Sequence, residues 1–387
     1  MPGYIVNPYD VLFFRGNKSF SFGEWYTEGI FPPYPSTFQG FVRSKILQDN
    51  NEINSSGALI NSERAKKLVG DDTEINVNIT GPYLIDTKSN NIYFKTPSDL
   101  FENDKTNNFD SACIINDGVL ESDLGFELKQ INFPFEKDKK IDKFCPPEFI
   151  SLNEIINYRM SVTNVKINSE PLTCDEARVV INVDVKDETR AARDGRFCIT
   201  QYKRFRNDIG FYCNVDKEIN NGALKLGSES HLVYIQKISD DNILETRLKE
   251  SRNDLTAKIL ETKKFRMILL SHGIFRNGWI PFDKNEKKIF ITPKGLEIEL
   301  LFAFVGAPIK ISGYSFRNSK ADDQKAIKLK SIVNAVPSGA VYLFQIKNGS
   351  DEAIKKFVNK YDNSQGIEFS PYSYHKMGFN HTILGVG

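Results

Sequence analysis

The sequence is poor in the residues that most often announce a chemistry. Only four histidines occur, His231, His272, His375 and His381, and none lies in an H-E-x-x-H motif; no G-x-S-x-G nucleophile motif is present either. The five cysteines are odd in number and form no C-x-x-C pair, which argues against a disulfide framework and against a zinc knuckle, and for free thiols in a reducing compartment. Carboxylates such as Asp10, Glu24 and Asp99 are scattered rather than spaced to hold magnesium, so no metal and no cofactor is expected. No apolar run is long enough to span a bilayer, and MPGYIVNPYD at the start carries no secretory signal; a cytoplasmic protein without a membrane partner is expected. A surplus of one charge is also missing. Lysine and arginine number 51 against 50 acidic residues, a net charge of +1, so any nucleic-acid surface must be local.

What is present is a chain of 387 residues, long enough for two domains. Alternating or continuous apolar runs predict strands at Tyr4–Val6, Ile75–Ile79, Val179–Val183, Phe197–Tyr202, Phe265–Ser271, Ile298–Val305 and Ala340–Ile346. Gly81-Pro82 is expected to stop the second of these. Helices are predicted from a Ser36 or Thr37 cap through Phe38, Phe41, Val42 and Ile46, near Asn253–Lys264, and over Asp351–Tyr361. Residues 101–148 are polar and aperiodic and are expected to be a long-looped insertion. Strands interrupted by single helices predict an α+β fold, with helices on one face of antiparallel sheets. The expected domains are 1–220 and 221–387.

Three segments are candidates for carrying chemistry. From Lys186 to Arg206, seven basic residues (Lys186, Arg190, Arg193, Arg196, Lys203, Arg204 and Arg206) face three acidic ones, +4 locally. Arginine's planar fork suits phosphate, and the interleaved Phe197, Tyr202 and Phe205 suit stacking on unpaired bases. Composition alone slightly favours a plainer alternative, a solvated hairpin whose charges pair with neighbours. A second basic region, Lys310–Lys330, also sums to +4 and includes Tyr314 and Arg317. The third is the glycine-spaced end GFNHTILGVG, Gly378–Gly387, where backbone could approach a phosphate. It is not a Walker A loop, and a tight terminal hairpin is the plain alternative.

PYDVLFFRG, PPYPSTFQGFVRSKIL, GPYL, YFKTPSDL, ARVVINVDVKDETRAARDGRF, GALKLGSES, AVPSGAVYLFQI and GFNHTILGVG occur in this order along the chain. Together they resemble the family of the third subunit of the Cmr complex, the type III-B CRISPR effector, within the repeat-associated mysterious protein (RAMP) superfamily. The resemblance implies two ferredoxin-like, RRM-like domains with long insertions. It implies a non-catalytic subunit in antiviral defence that grips the 5′ tag of the CRISPR RNA and docks on the large polymerase-like subunit beside backbone RAMP subunits. Under it, RNA-binding residues fall on the first helix (Arg43, Lys45), the loop Thr189–Gly195 and its flanks (Arg190, Arg193, Arg196, Lys203, Arg204, Arg206), the second basic region (Tyr314, Arg317) and the glycine-rich end (Gly378, Gly385, Gly387). An RRM-like sheet would read single-stranded RNA by stacking and backbone contacts. Two departures stand out: LGSES is poorer in glycine than the family's loop, and ETRAARDG is more basic. The alternatives are a RAMP endoribonuclease processing precursor CRISPR RNA with His375 or His381 as base, and a purely structural subunit that never touches RNA.

Overall fold

The computed structural model describes residues 1–16, 26–54, 59–71, 74–103, 108–120, 128–134, 146–168, 170–180, 198–239, 242–282, 284–285, 289–291, 295–316, 327–329, 331–366, 370–371 and 373–387. Two large antiparallel sheets and a few helices make a mixed α and β fold. The first sheet has seven strands in the spatial order Gly222–Lys225, Leu232–Lys237, Gly3–Pro8, Ile209–Val215, Ile79–Asp86, Asn91–Lys95 and Phe149–Ser151. The second has six, in the order Lys284–Asn285, Ile289–Ile291, Glu297–Phe304, Val341–Asn348, Lys264–Leu269 and Thr382–Val386. Among the described residues the α-helices are α1 (Pro35–Asp49), α2 (Ser62–Val69), α3 (Leu152–Met160), α4 (Ile243–Thr262) and α5 (Asp351–Tyr361).

Strand periodicity divides each sheet into two buried faces. In the first strand Tyr4 and Val6 point to an outer core with Phe38, Phe41, Val42 and Ile46 of α1 and Ala65 and Val69 of α2. Ile5, between them, points the other way into a core shared with Ile268, Leu343 and Ile383 of the second sheet. The second sheet sends Phe265, Met267 and Leu269 outward against Leu255 and Ile259 of α4 and Phe357 and Val358 of α5. The expected arrangement, helices on one face, therefore needs correction: α3 and the first half of α4 lie in the shared middle layer, through Ile155, Tyr158, Leu244 and Leu248.

That middle layer also holds charge. Arg159 and Asp362, both with fully buried side chains, form a two-pronged pair at 3.1 and 3.2 Å. Arg252 donates to the same carboxylate at 2.8 Å, and the Leu384 N–H adds a fourth bond at 3.2 Å. Nearby, buried Asp99 accepts from Tyr158 (2.6 Å), Ser111 (2.5 Å) and Arg266 (3.0 Å).

Several local expectations shift. Helix α1 begins at Pro35 after Tyr34, with no side-chain cap; proline's fixed φ starts the helix in place of the expected Ser36 or Thr37 cap. Gly81-Pro82 does not end a strand. The strand starts at Ile79 and runs through it to Asp86, because a bulge between Tyr212 and Asn214 relaxes the opposing ladder there. Helix α4 begins at Ile243, ten residues before its expected start, with the Asn242 side chain accepting from the Glu245 N–H. Helices α2 and α3, the latter opened by a Ser151–Glu154 capping box, were not anticipated. Within 101–148 two hairpins form, Leu100–Glu102 with Phe109–Ser111 and Cys113–Leu120 with Leu128–Asn132. The first sheet extends to Lys237, past the expected boundary at residue 220, since Leu232–Lys237 pairs with the first strand. Among the described residues no helix is long and apolar enough to cross a membrane.

Removing one partner of a buried pair strands the other charge. Asp362→Ala should therefore lower unfolding free energy by about 3–5 kcal/mol. Urea denaturation would measure it, and a loss below about 1 kcal/mol, the range of an exposed pair, would contradict the assignment.

Candidate nucleic-acid interface

Both faces of the first sheet are buried, so the open aromatic sheet face that an RRM-like domain offers to RNA is not available here. Candidate contacts must lie at the periphery. The most distinct peripheral element is a hairpin, Thr173–Val180 paired antiparallel with Cys198–Phe205, with Tyr26–Glu28 added in parallel. Arg190, Arg193 and Arg196 lie in 181–197, which joins its strands and is outside the described residues.

The hairpin base is pinned to the start of the chain. Leu12 and Lys203 exchange two backbone hydrogen bonds of 2.9 Å, and Phe13 packs on Tyr202 with ring centres 5.6 Å apart. Charges close the joint. Asp10 receives Arg178 and Arg204, each at 3.0 Å, and both arginines also bond Glu176. Lys203 pairs with Asp175 at 2.5 Å and stands 5.7 Å above the Phe31 ring; Arg206 pairs with Glu170 at 2.9 Å. The hydrogen bonds from Arg204 and Arg178 hold the Glu176 carboxyl below its ordinary range. Slight burial raises that of Asp10, but the Arg178 and Arg204 contacts outweigh it and the net shift is downward.

This compensation revises the sequence-based expectations. Lys203, Arg204 and Arg206 are engaged by carboxylates from the facing strand, the preceding turn and the segment after α3, which the local count over Lys186–Arg206 did not include. Tyr202 is buried and Phe205 half-buried against Phe31 and Phe211, so neither presents a free face to a base. Elsewhere, Arg43 donates to the Gly70 carbonyl at 2.9 Å and ties α1 to the end of α2. Lys45 is buried and paired with Asp49. Tyr314 lies in a short pairing of Tyr314–Phe316 with Ile327–Leu329, and Arg317 is outside the described residues.

The glycine-rich end is occupied by protein. A Cβ on Gly378 (φ +95°) would fall 2.5 Å from the Gly81 carbonyl oxygen, one on Gly385 3.3 Å from the Arg159 backbone, and one on Gly387 2.4 Å from the Lys264 side chain. These glycines let the last strand and the turn before it pack against the rest of the chain. The histidines are drawn inward as well. His381 is enclosed, its ring nitrogens bonded to Tyr83 and, at 2.7 Å, to Asn363, and burial pushes its pKa down to about 3. Burial takes His272 down to about 4, with its Nδ1 accepting from the Ser338 N–H at 3.0 Å. His375 is half-buried in a single 3-10 turn, Tyr374–Met377. Among the described residues no group of three or more His, Cys, Asp or Glu is placed to hold a metal ion.

The sequence model of the CRISPR-associated protein family Cas_Cmr3 matches residues 4–387. The chain belongs to the Cas_Cmr3 family. No curated protein matches it. Two solved chains are similar along nearly their whole length. One is in a cryo-EM structure of the type III-B Cmr-beta bound to cognate target RNA and AMPPnP, state 1, with 13% identity, 97% of this chain and 94% of that chain covered, and a TM-score of 0.46. The other is in a cryo-EM structure of the type III-B Cmr-beta bound to cognate target RNA, with 14% identity, 98% and 96% covered, and a TM-score of 0.49.

The lowered carboxyls of this Cas_Cmr3 chain give its hairpin a pH signature. A carboxylate whose folded pKa is depressed stabilises above its unfolded value and loses that contribution as pH falls through the folded one. Hydrogen exchange in Thr173–Val180 and Cys198–Phe205, corrected for intrinsic rate, should accelerate between about pH 5 and about pH 3. Asp10→Asn should show part of that acceleration already at neutral pH. Protection that stays level across the range would contradict the clamp.

Proposed function

We propose that this Cas_Cmr3 family member acts as a non-catalytic, RNA-gripping subunit of a type III-B CRISPR effector in the cytoplasm. Its ligand in this reading is the single-stranded 5′ tag of the CRISPR RNA, and its protein partners are the large polymerase-like subunit and the backbone RAMP subunits. The observation that carries it is the hairpin: a base clamped by compensated charges, joined by a segment bearing Arg190, Arg193 and Arg196. With the base neutralised, these arginines supply the fork-shaped donors that grip phosphate. Arg317, in the segment between two short paired strands, is a second candidate of the same kind.

We also propose that the two sheets are ferredoxin-like units. In chain order, Gly3–Pro8, Ile79–Asp86, Ile209–Val215 and Leu232–Lys237 lie spatially as 4-1-3-2. Lys264–Leu269, Glu297–Phe304, Val341–Asn348 and Thr382–Val386 lie in the same order read from the other edge. Each unit keeps one of the two crossover helices among the described residues, α1 in the first and α5 in the second. The non-catalytic assignment is supported by His381, which is bonded at both nitrogens inside the core and cannot reach a ribose hydroxyl without unpacking it.

Replacing Arg190, Arg193 and Arg196 together by alanine should abolish most tag-RNA crosslinking to this subunit in the assembled complex, while the thermal midpoint of the isolated chain stays level. Unchanged crosslinking would refute the hairpin assignment. Repeat-RNA cleavage by the purified chain that is lost in His375→Ala would favour the endoribonuclease reading instead.

A further inference from the structure

The turn Gly227–His231 joins the two strands at the edge of the first sheet, and it is strained. Glu229 (φ 61°, ψ 16°) and Ser230 (φ 60°) are consecutive non-glycine residues in the left-handed region. Glycine would adopt this geometry at no steric cost, so side chains retained here need a reason. Gly227 beside them is forced: a Cβ there would fall 2.6 Å from the Phe13 carbonyl oxygen, which already accepts from the Ser228 N–H at 2.9 Å.

The Glu229 side chain supplies a reason. Its carboxylate accepts a hydrogen bond from the Tyr202 hydroxyl, on the second strand of the hairpin. Tyr202 is 3% exposed and forms a three-residue core with Val11 and Phe13, separate from the large cores. The Arg178 guanidinium lies 5.5 Å from its ring centre, and the His231 ring meets it edge-on at 5.4 Å. His231 Nε2 is buried, has no hydrogen-bond partner among the described residues and stands 3.9 Å from the same Glu229 oxygen. The hairpin is thus held at two separate places. Asp10 clamps its arginines, and Glu229 holds the buried Tyr202 hydroxyl.

We infer that Glu229 is a positioning residue: its carboxylate, carried on a strained turn, latches Tyr202 and fixes the pitch of the hairpin against the first sheet. The latch sets where the arginine-bearing segment meets RNA, and in that respect it rests on the function proposed above. The two attachments restrain different motions. The Asp10 clamp resists sliding of the strands past the first turn, whereas the Glu229 latch resists lifting of Tyr202 out of its pocket.

Glycine at position 229 separates a latch from a simple turn residue, because it relieves the backbone strain while deleting the carboxylate. In Glu229→Gly the denaturation midpoint of the full chain should hold or rise. Hydrogen exchange in Cys198–Phe205 should nevertheless accelerate roughly tenfold, as expected for a lost charge-assisted hydrogen bond. Tyr202→Phe should do the same, the double variant should be no worse than either alone, and Glu229→Gln, which keeps an acceptor, should recover part of the protection. Guide-RNA crosslinks to the hairpin in the assembled complex should fall in parallel. Unchanged exchange in both single variants overturns the latch, and accelerated exchange with undiminished crosslinks overturns its positioning role. Absence of hairpin crosslinks in the unsubstituted complex would instead count against the proposed function, with the exchange comparison still deciding the latch.

Discussion

Charge buried between the two sheets is the constraint on which the rest of the molecule depends. Asp362 pairs with Arg159 and with Arg252, the latter also held by Glu245, and Asp99 pairs with Arg266. Burial alone disfavours the charged guanidinium of Arg159, and its pKa is lowered despite the facing carboxylate. Neither charge can be exposed separately without losing its counterion, so the sheets are locked as one block. A hydrophobic layer of similar volume would hold them as well. What the ionic pairs add is direction, since α3, α4 and the last strand must meet at one register for the Asp362 carboxylate to satisfy all its donors.

That locked block accounts for the location of the candidate RNA contacts. Packing the sheets against each other buries the inner face of the first sheet, and α1 with α2 buries the outer face. In the proposed function, single-stranded RNA therefore meets elements outside the main cores and not the sheet surface. The hairpin meets this condition with a small core of its own, Val11, Phe13 and Tyr202, and a ring of paired charges. Cross-strand pairing of Glu176 with Arg204 is the sheet's ordinary way of using opposite charges. Together with the Lys203–Asp175 and Arg206–Glu170 pairs it removes three basic residues from the local surplus, and in the proposed function phosphate falls to the arginines of the connecting segment.

Much of this was legible in the sequence. Apolar runs located the first strand and the strands at Lys264–Leu269, Glu297–Phe304 and Val341–Asn348, period-two alternation located Cys198–Phe205 and the end of Thr173–Val180, and helical spacing located α1 and α5. Helix α3 was missed because its inward face carries Arg159, and a buried arginine reads as polar until its partner 203 residues away is known. The hairpin clamp was invisible for the same reason: Arg178 and Arg204 find Asp10 across 168 and 194 residues. The packing of the glycine-rich end was not legible because a glycine reports that something approaches closely, not what does. Here the approaching groups are the Gly81 carbonyl, the Arg159 backbone and Lys264. The Cas_Cmr3 resemblance read from ordered segments agreed with the family match over residues 4–387, while the site residues assigned through it divided between protein-packing positions and untouched candidates.

In the proposed function the arginine-bearing hairpin, and not the glycine-rich end, meets the guide RNA. Ultraviolet crosslinking of the unsubstituted, guide-loaded complex, followed by mass spectrometry of the crosslinked peptides, tests it most directly. Crosslinks from the 5′ tag to peptides within 181–206 are predicted. Crosslinks confined to Gly378–Gly387, with none in the hairpin, would contradict it.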